Sequence, residues 1–394
     1  MIALFLSVVA AGLVLNWALD DADGQDAAPD RDDGDLPPTP AATEGDDVLT
    51  VPSDSLGRFD ALAGDDSITV EADTGATLQF ETRSLTSTFW ETDDGEAPLV
   101  VDGGAGDDRL LLSGRGYAVT GGAGDDLIDL GDAQSVMVSA NGADTVLGGT
   151  GGAIVTLTEA ASYVGSDGSD AVVSDSSGSI SMAGGDDDLM ISGSGPVDMG
   201  AGDDWAFGLQ GASSILGGAG NDTLIGTRSD SVFLPSATDL LQYYVSTDPD
   251  TLDGGAGNDV LSASHGDLVI SGTGADRIQV HLAANPDLAG TEITDFDPAQ
   301  DRLVIAHDFF GRDGANPDRD PVPFTGEVTV TETPEGDTFI TGRDGQTLVI
   351  LRGVTGVTVG ADIGDLTGLT DLAGTPTPNA DYDVILTRFF NVTS

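Results

Sequence analysis

Apolar and polar residues alternate along this chain in short runs. Leu110 and Leu112, Ile128 and Leu130, Leu189 and Ile191, and Ile278 and Val280 each flank one polar or outward position. A second set falls about half a repeat away, in Val136 and Val138, Ile180 and Met182, Val197 and Met199, and Val269. Period-two alternation over three to five residues predicts half-buried β-strands. Two strands per repeat, stacked repeat on repeat, would form two facing ladders with a thin core between them.

Glycine and aspartate punctuate these runs. Four strings are nearly identical: GGAGDDRLL from Gly103, GGAGDDLID from Gly121, GGAGNDTLI from Gly217 and GGAGNDVLS from Gly254. Each matches the nonapeptide G-G-x-G-x-D-x-U-x, where U is a large apolar residue. Degenerate copies begin at Glu44, Ala63, Asn141, Gly184, Gly200 and Gly272. The sixth-position aspartates are Asp47, Asp66, Asp108, Asp126, Asp144, Asp187, Asp204, Asp222, Asp259 and Asp276, separated by 19, 42, 18, 18, 43, 17, 18, 37 and 17 residues. Most steps are one unit of about 18, and the long ones read as two units, with Asp170 and Asp239 marking weak turns inside two of them. The predicted fold is all-β, a parallel β-roll or β-solenoid with one Gly-Asp loop per coil.

Charge gives those loops a chemistry. The 394 residues carry 68 acidic and 13 basic groups, a net charge of −55. Ten of the acids are Glu and the other 58 are Asp, while every basic residue is Arg. Solubility would be served by either acid, whereas a short carboxylate suits a tight turn that coordinates something. The 39% hydrophobic content is enough for a core, so the charge does not mean disorder. Nucleic acid is excluded as a partner, because it needs a basic footprint. With no cysteine, disulfides, zinc-thiolate sites and cysteine nucleophiles are excluded too.

A tight loop that aims successive carbonyls at one point requires positive φ, which Gly adopts cheaply. The aspartate adds a charged oxygen. Ca²⁺ takes six to eight oxygens at roughly 2.3–2.6 Å, carbonyl and carboxylate alike. One loop cannot supply them, but two loops stacked one coil apart can. The candidate ligands are therefore the ten aspartates above together with Gly103, Gly106, Gly121, Gly124, Gly217, Gly220, Gly254 and Gly257. The intervening half-coils, such as SGRGYAVT from Ser113, lack the Asp. This predicts several Ca²⁺ ions in one spine along a single edge.

The ends differ. Residues 1–19 are apolar and read as a membrane anchor or a signal segment; residues 20–43 are an acidic, Pro-rich linker. Residues 44–285 are the repeat region. Residues 286–394 read as a β domain, with strands at Glu327–Thr333, Thr338–Thr341 and Thr347–Leu351 covering the open end of the roll.

Residues 44–285 resemble the RTX (haemolysin-type) calcium-binding β-roll. The EITDFDPAQDRLVI block from Glu292, with the strands after it, resembles the C-terminal region of serralysin-type secreted proteins. The resemblance implies Ca²⁺ on the sixth-position aspartates, Asp108, Asp126, Asp222 and Asp259 first among them, and on the loop carbonyls. It also implies type I export guided by an uncleaved C-terminal signal, for which Asp383-Val384-Ile385-Leu386 is the matching stretch. No H-E-x-x-H surrounds His265, His281 or His307, and no G-x-S-x-G occurs. The expected protein is thus an exported, extracellular, non-enzymatic calcium-binding rod, anchored by its N-terminus or free. Its expected partner is a cell-surface or matrix polysaccharide or protein. The alternative is a carbohydrate-binding or carbohydrate-active module on a calcium-stabilised parallel β-helix, with Trp205 and Phe207 as its sugar patch.

Overall fold

The computed structural model describes residues 41–52, 57–73, 77–81, 86–91, 99–134, 136–208, 213–226, 249–283, 289–308, 328–342, 345–361 and 383–388. The chain divides into two compact units, Met1–Trp205 and Ala206–Ser394.

In the first unit the strands fall alternately into two parallel sheets. One sheet takes Val48–Val51, Ser67–Val70, Arg109–Leu112, Leu127–Asp129, Thr145–Leu147, Ser162–Val164, Ile180–Ser181 and Pro196–Asp198. The other takes Arg58–Asp60, Leu99–Asp102, Tyr117–Thr120, Met137–Ala140, Ile154–Leu157, Ala171–Ser174 and Asp188–Ile191. Register stacks like on like. Ile68, Leu110, Ile128, Val146, Tyr163, Ile180 and Val197 form one buried column. Phe59, Val101, Val119, Val138, Val155, Val172 and Leu189 form the facing one. These columns are the core that the alternation predicts, and a slip of one residue would turn the first column away from it.

The second sheet departs from the half-buried expectation. Its outward-pointing Val100, Ala118, Met137, Thr156 and Met190 are buried as well. Parallel strands covered on both faces are apolar at both alternating positions, as in Leu99–Val100–Val101. At the outward positions of the first sheet Ser67, Arg109, Leu111 and Val164 are exposed, while Thr69, Thr145 and Ser162 are half-buried.

The second unit repeats the plan. Ser214–Ala219, Thr251–Ala256, Leu268–Ile270, Thr291–Ile293 and Thr347–Leu351 run parallel in one sheet. Thr223–Ile225, Val260–Ala263, Arg277–Ala283, Arg302–Asp308 and Val384–Arg388 run parallel in the other. The EITDFDPAQDRLVI block is therefore part of the parallel ladder, which continues past residue 285. The stretch matched to an export signature, from Asp383, forms its last long strand. Antiparallel strands Thr329–Glu332 and Thr338–Thr341 then add to Thr347–Leu351, as a cap requires. Arg352 fastens this end, pairing in bidentate fashion with Glu292 at 2.8 and 3.0 Å and with Asp337 at 2.7 Å.

Pairing also explains the long steps between aspartates. Ser67–Val70 pairs directly with Arg109–Leu112, so the 42-residue step is one coil carrying an insertion. Part of that insertion is an antiparallel hairpin, Thr77–Glu81 with Thr86–Glu91. Thr223–Ile225 pairs directly with Val260–Ala263, so the 37-residue step is also a single coil. Asp239 and the apolar segment Ile2–Leu19 lie outside the described residues. Among the described residues no helix is long and apolar enough to cross a membrane.

Candidate metal centre

Each Gly-Asp loop turns the chain from one sheet to the other. In Gly121–Asp126 the glycines at the second and fourth positions, Gly122 and Gly124, hold φ of +109° and +149°, values that L side chains rarely adopt. They also pack on the coil beneath: a Cβ at Gly122 would strike the Gly104 carbonyl oxygen, and one at Gly124 the Gly106 carbonyl oxygen.

The sixth-position aspartates are buried, at 0–2% exposure for Asp66, Asp108, Asp126, Asp144, Asp187, Asp204, Asp222, Asp259 and Asp276; Asp47, in the first coil, is partly exposed. They form a ladder. Backbone N–H groups donate to Oδ1 of the aspartate one coil on: Asp47 to Asp66 at 2.7 Å, Asp66 to Asp108 at 2.8 Å, Asp108 to Asp126 and Asp126 to Asp144 at 2.9 Å, where the run ends, Asp144 N–H donating to the Asn141 carbonyl. Asp187 donates to Asp204 at 2.8 Å, Asp222 to Asp259 at 2.8 Å and Asp259 to Asp276 at 2.9 Å. An exposed fifth-position ladder runs beside it in the opposite sense, with Asp107 N–H on Asp65 Oδ1 and Asp125 N–H on Asp107 Oδ1, both at 3.0 Å.

One carboxylate oxygen thus joins the coils; at Asp144 the second accepts from the Asn141 N–H at 2.9 Å, but in most other coils it is left over. Oδ2 of Asp66, Asp108, Asp126, Asp187, Asp259 and Asp276 is buried without a hydrogen-bond partner. Such a group is costly unless something positive meets it. Burial, with the neighbouring aspartates adding to it, pushes the Asp108 carboxyl up to about 6, Asp126 and Asp259 to about 7 and Asp187 to about 8.

The first glycine of each loop marks where that charge belongs. A Cβ on Gly254 would lie 2.5 Å from the Ser271 carbonyl oxygen and 2.6 Å from Asp259 Oδ2. On Gly217 it would lie 2.5 Å from Asp222 Oδ2 and 2.6 Å from the Gly254 carbonyl oxygen. On Gly103 it would meet Asp108 Oδ2 at 2.7 Å and the Gly121 carbonyl oxygen. A carboxylate oxygen of one loop and a carbonyl oxygen of the next coil therefore converge beside a residue that has no side chain. Among the described residues no three His, Cys, Asp or Glu side chains gather as a metal cluster. The donor set is all oxygen, carboxylate and backbone carbonyl together, which suits a hard cation of flexible coordination such as Ca²⁺ and not zinc.

A single metal spine is not what the fold builds. In the first unit the loops ending in Asp47, Asp66, Asp108, Asp126 and Asp144 all lead into the first sheet. The loops ending in Asp187 and Asp204 lead out of it, at the opposite edge. The crossing occurs between Asp144 and Asp170. Coils here are 17 residues long, as Thr145 pairs with Ser162 and Ile154 with Ala171, so the 26 residues between these aspartates are one and a half coils. At the first edge the next loop, Thr158–Ala161, carries no Gly-Asp; at the second, Gly165–Asp170 does. Asp170 belongs to the new row, being 3% exposed with its N–H on Asp187 Oδ1 at 2.7 Å. Asp301 extends the row of the second unit, accepting from Asp276 N–H at 3.1 Å. It follows a proline turn with no glycine, so no motif marks it.

The sequence comparisons agree with this chemistry. Residues 200–231 and 244–279 match the family model of the RTX calcium-binding nonapeptide repeat, in 4 copies. The chain carries RTX calcium-binding repeats. No curated protein sequence matches it. Among solved structures it is similar to a hyperactive, Ca²⁺-dependent, β-helical antifreeze protein from an Antarctic bacterium, at 21% identity and a TM-score of 0.31. That match covers 66% of this chain and 83% of the other. As for the sugar patch, Phe207 is 7% exposed and so presents no open stacking face.

Proposed function

We propose that this protein is an exported, non-enzymatic structural element whose RTX β-roll folds when it binds extracellular Ca²⁺. The observation that supports this reading is the row of buried Oδ2 atoms facing the carbonyls of the next coil. Asp66, Asp108, Asp126, Asp144, Asp187, Asp204, Asp222, Asp259 and Asp276, with Asp170 and Asp301, would hold the ions together with first-position carbonyls such as those of Gly121, Gly254 and Ser271. Bound calcium supplies the positive charge that lets these carboxylates stay ionised inside the fold. Without it the rows repel, the coils do not close, and the chain stays extended enough to be threaded through a type I export channel. Sites of the extracellular class, with dissociation constants of about 10⁻⁴ to 10⁻³ M, make binding energy into folding energy outside the cell. Outside, the protein presents the acidic rim of its fifth-position aspartates to a surface polysaccharide or protein, tethered by its apolar N-terminus or released.

The test is far-UV circular dichroism of the full chain, titrated from chelator to about 10 mM Ca²⁺ so as to bracket that range, with Mg²⁺ as control. A cooperative coil-to-β transition with Ca²⁺ alone is expected. A β signal already complete in chelator would overturn the coupling of folding to metal.

A further inference from the structure

The first aspartate row ends at a turn that holds the one Asn-Gly pair of the sequence, Asn141-Gly142. The fold requires the glycine: its φ is +60°, and a Cβ there would lie 2.8 Å from the Gly124 carbonyl oxygen. Its backbone nitrogen therefore has no side chain to shield it. Among the described residues that N–H donates to no acceptor, and the exposed side chain of Asn141 makes no hydrogen bond. Only the backbone of Asn141 is held, its N–H on Asp144 Oδ2 at 2.9 Å and its carbonyl under Asp144 N–H at 3.2 Å. The other described asparagines, Asn221 and Asn258, are equally exposed but locked. Asn221 Oδ1 accepts the Asn258 N–H and Asn258 Oδ1 the Ala275 N–H, both at 2.9 Å. The nitrogens that follow them are engaged in the ladder, Asp222 N–H on Asp259 Oδ1 at 2.8 Å and Asp259 N–H on Asp276 Oδ1 at 2.9 Å.

We infer that Asn141 is a modification site, deamidated in the folded protein when the Gly142 backbone nitrogen attacks its side-chain amide carbon. The nitrogen bonds to Asn141 Cγ and gives up its proton through water, and the amide NH₂ leaves with that proton as ammonia. The product is a five-membered succinimide. Water then adds to one of the two ring carbonyls. Opening the newly formed C–N bond gives aspartate. Opening the original peptide bond gives isoaspartate, in which the main chain runs through Cγ. The sum is one water consumed and one ammonia released, with no oxidant or enzyme. Either product sets a new negative charge at the end of the row, beside Asp144, whose carboxyl burial already raises, with the charges of Asp125 and Glu159 adding to it. The isoaspartate also inserts a carbon into the turn that Asn141 N–H closes on Asp144 Oδ2, and so loosens that closure.

The experiment ages the full-length chain at mildly alkaline pH, once folded and once unfolded in urea, and follows each asparagine by peptide mapping with mass spectrometry. The folded sample is verified by circular dichroism in Ca²⁺ or, should the chain fold without it, in chelator, so the outcome does not depend on the coupling of folding to metal. In the folded chain Asn141 should convert within about tenfold of its rate in urea, since no hydrogen bond of its side chain or of the Gly142 nitrogen must open first. Asn258 should be slowed by more than about tenfold, since its Oδ1 bond and the Asp259 N–H bond must both break. Isoaspartate should accompany aspartate at position 141, because only the cyclic route produces it. An Asn141 that converts in urea and stays intact in the folded chain would overturn the site. Protection equal to that of Asn258, or aspartate formed without isoaspartate, would overturn it as well.

Discussion

Removing calcium should invert the ordinary dependence of stability on pH. Most acidic proteins lose stability as carboxylates protonate, because their paired carboxylates have lowered pKa values in the folded state. In this roll the direction is opposite. The Asp126 carboxyl moves from 3.8 to about 7, chiefly through burial. A group whose pKa is raised on folding keeps its proton longer in the folded chain. Its protonation therefore favours folding below 3.8, and that advantage fades as pH rises through about 7. A shift of about three pH units, at 1.36 kcal/mol each, corresponds to at most roughly 4 kcal/mol for this one residue, before screening by nearby solvent and the part it shares with neighbouring aspartates. Asp259 shifts comparably and Asp187 further. The net stability of a folded domain is only about 5–15 kcal/mol, so two or three such residues, ionised and without metal, would exhaust it. The assay is urea denaturation followed by circular dichroism, in metal-free buffer at intervals from pH 4 to 8.5, repeated in saturating Ca²⁺. The metal-free chain should be most β-structured near pH 4–5 and unfold as pH approaches 8. With Ca²⁺ the trend should reverse, since the metal binds the deprotonated form. Metal-free stability that stays level or rises between pH 4 and 8 would refute the argument that these buried carboxylates lack a counter-charge.

Point substitutions should divide along the same physical lines. Asp126→Asn keeps the ladder acceptor but not the charge, so it should raise the β content of the metal-free chain at pH 8 while moving the Ca²⁺ midpoint to higher concentration. Gly122→Ala places a methyl against the Gly104 carbonyl at φ of +109°; it should cost more than about 2 kcal/mol in the Ca²⁺ form, read as a lower urea midpoint. Leu110→Ala removes a fully buried side chain from the inner column and should cost about 2–5 kcal/mol by the same measurement, with no change in the number of ions bound.

Much of this architecture is written locally. Alternation in Leu110–Leu112 or Ile278–Val280 fixes which side of each strand turns inward, because side chains alternate with a period of two wherever the strand lies. The loops are local in their bend: Gly-Gly-x-Gly-x-Asp carries the glycines that make its turn and the aspartate that ends it, so the sixth positions were legible as candidate ligands. The C-terminal strands Thr338–Thr341 and Thr347–Leu351 were legible for the same reason.

Only the tertiary structure decides which loops stand above one another. A spacing of 43 residues between Asp144 and Asp187 is compatible with two coils and an insertion or with two and a half plain coils. Those alternatives put the second row on opposite edges. Strand pairing chooses the second, through 17-residue coils that the spacing alone does not reveal. The same ambiguity hid the single coils behind the 42- and 37-residue steps, where an insertion counts as distance along the chain but not along the ladder. Asp301 went unread because no glycine pattern surrounds it; it becomes part of a row only when another coil brings a backbone N–H to its carboxylate. A repeat specifies its own turn through short-range sterics, whereas a metal site between coils is a property of register, and register exists only once the sheets have formed.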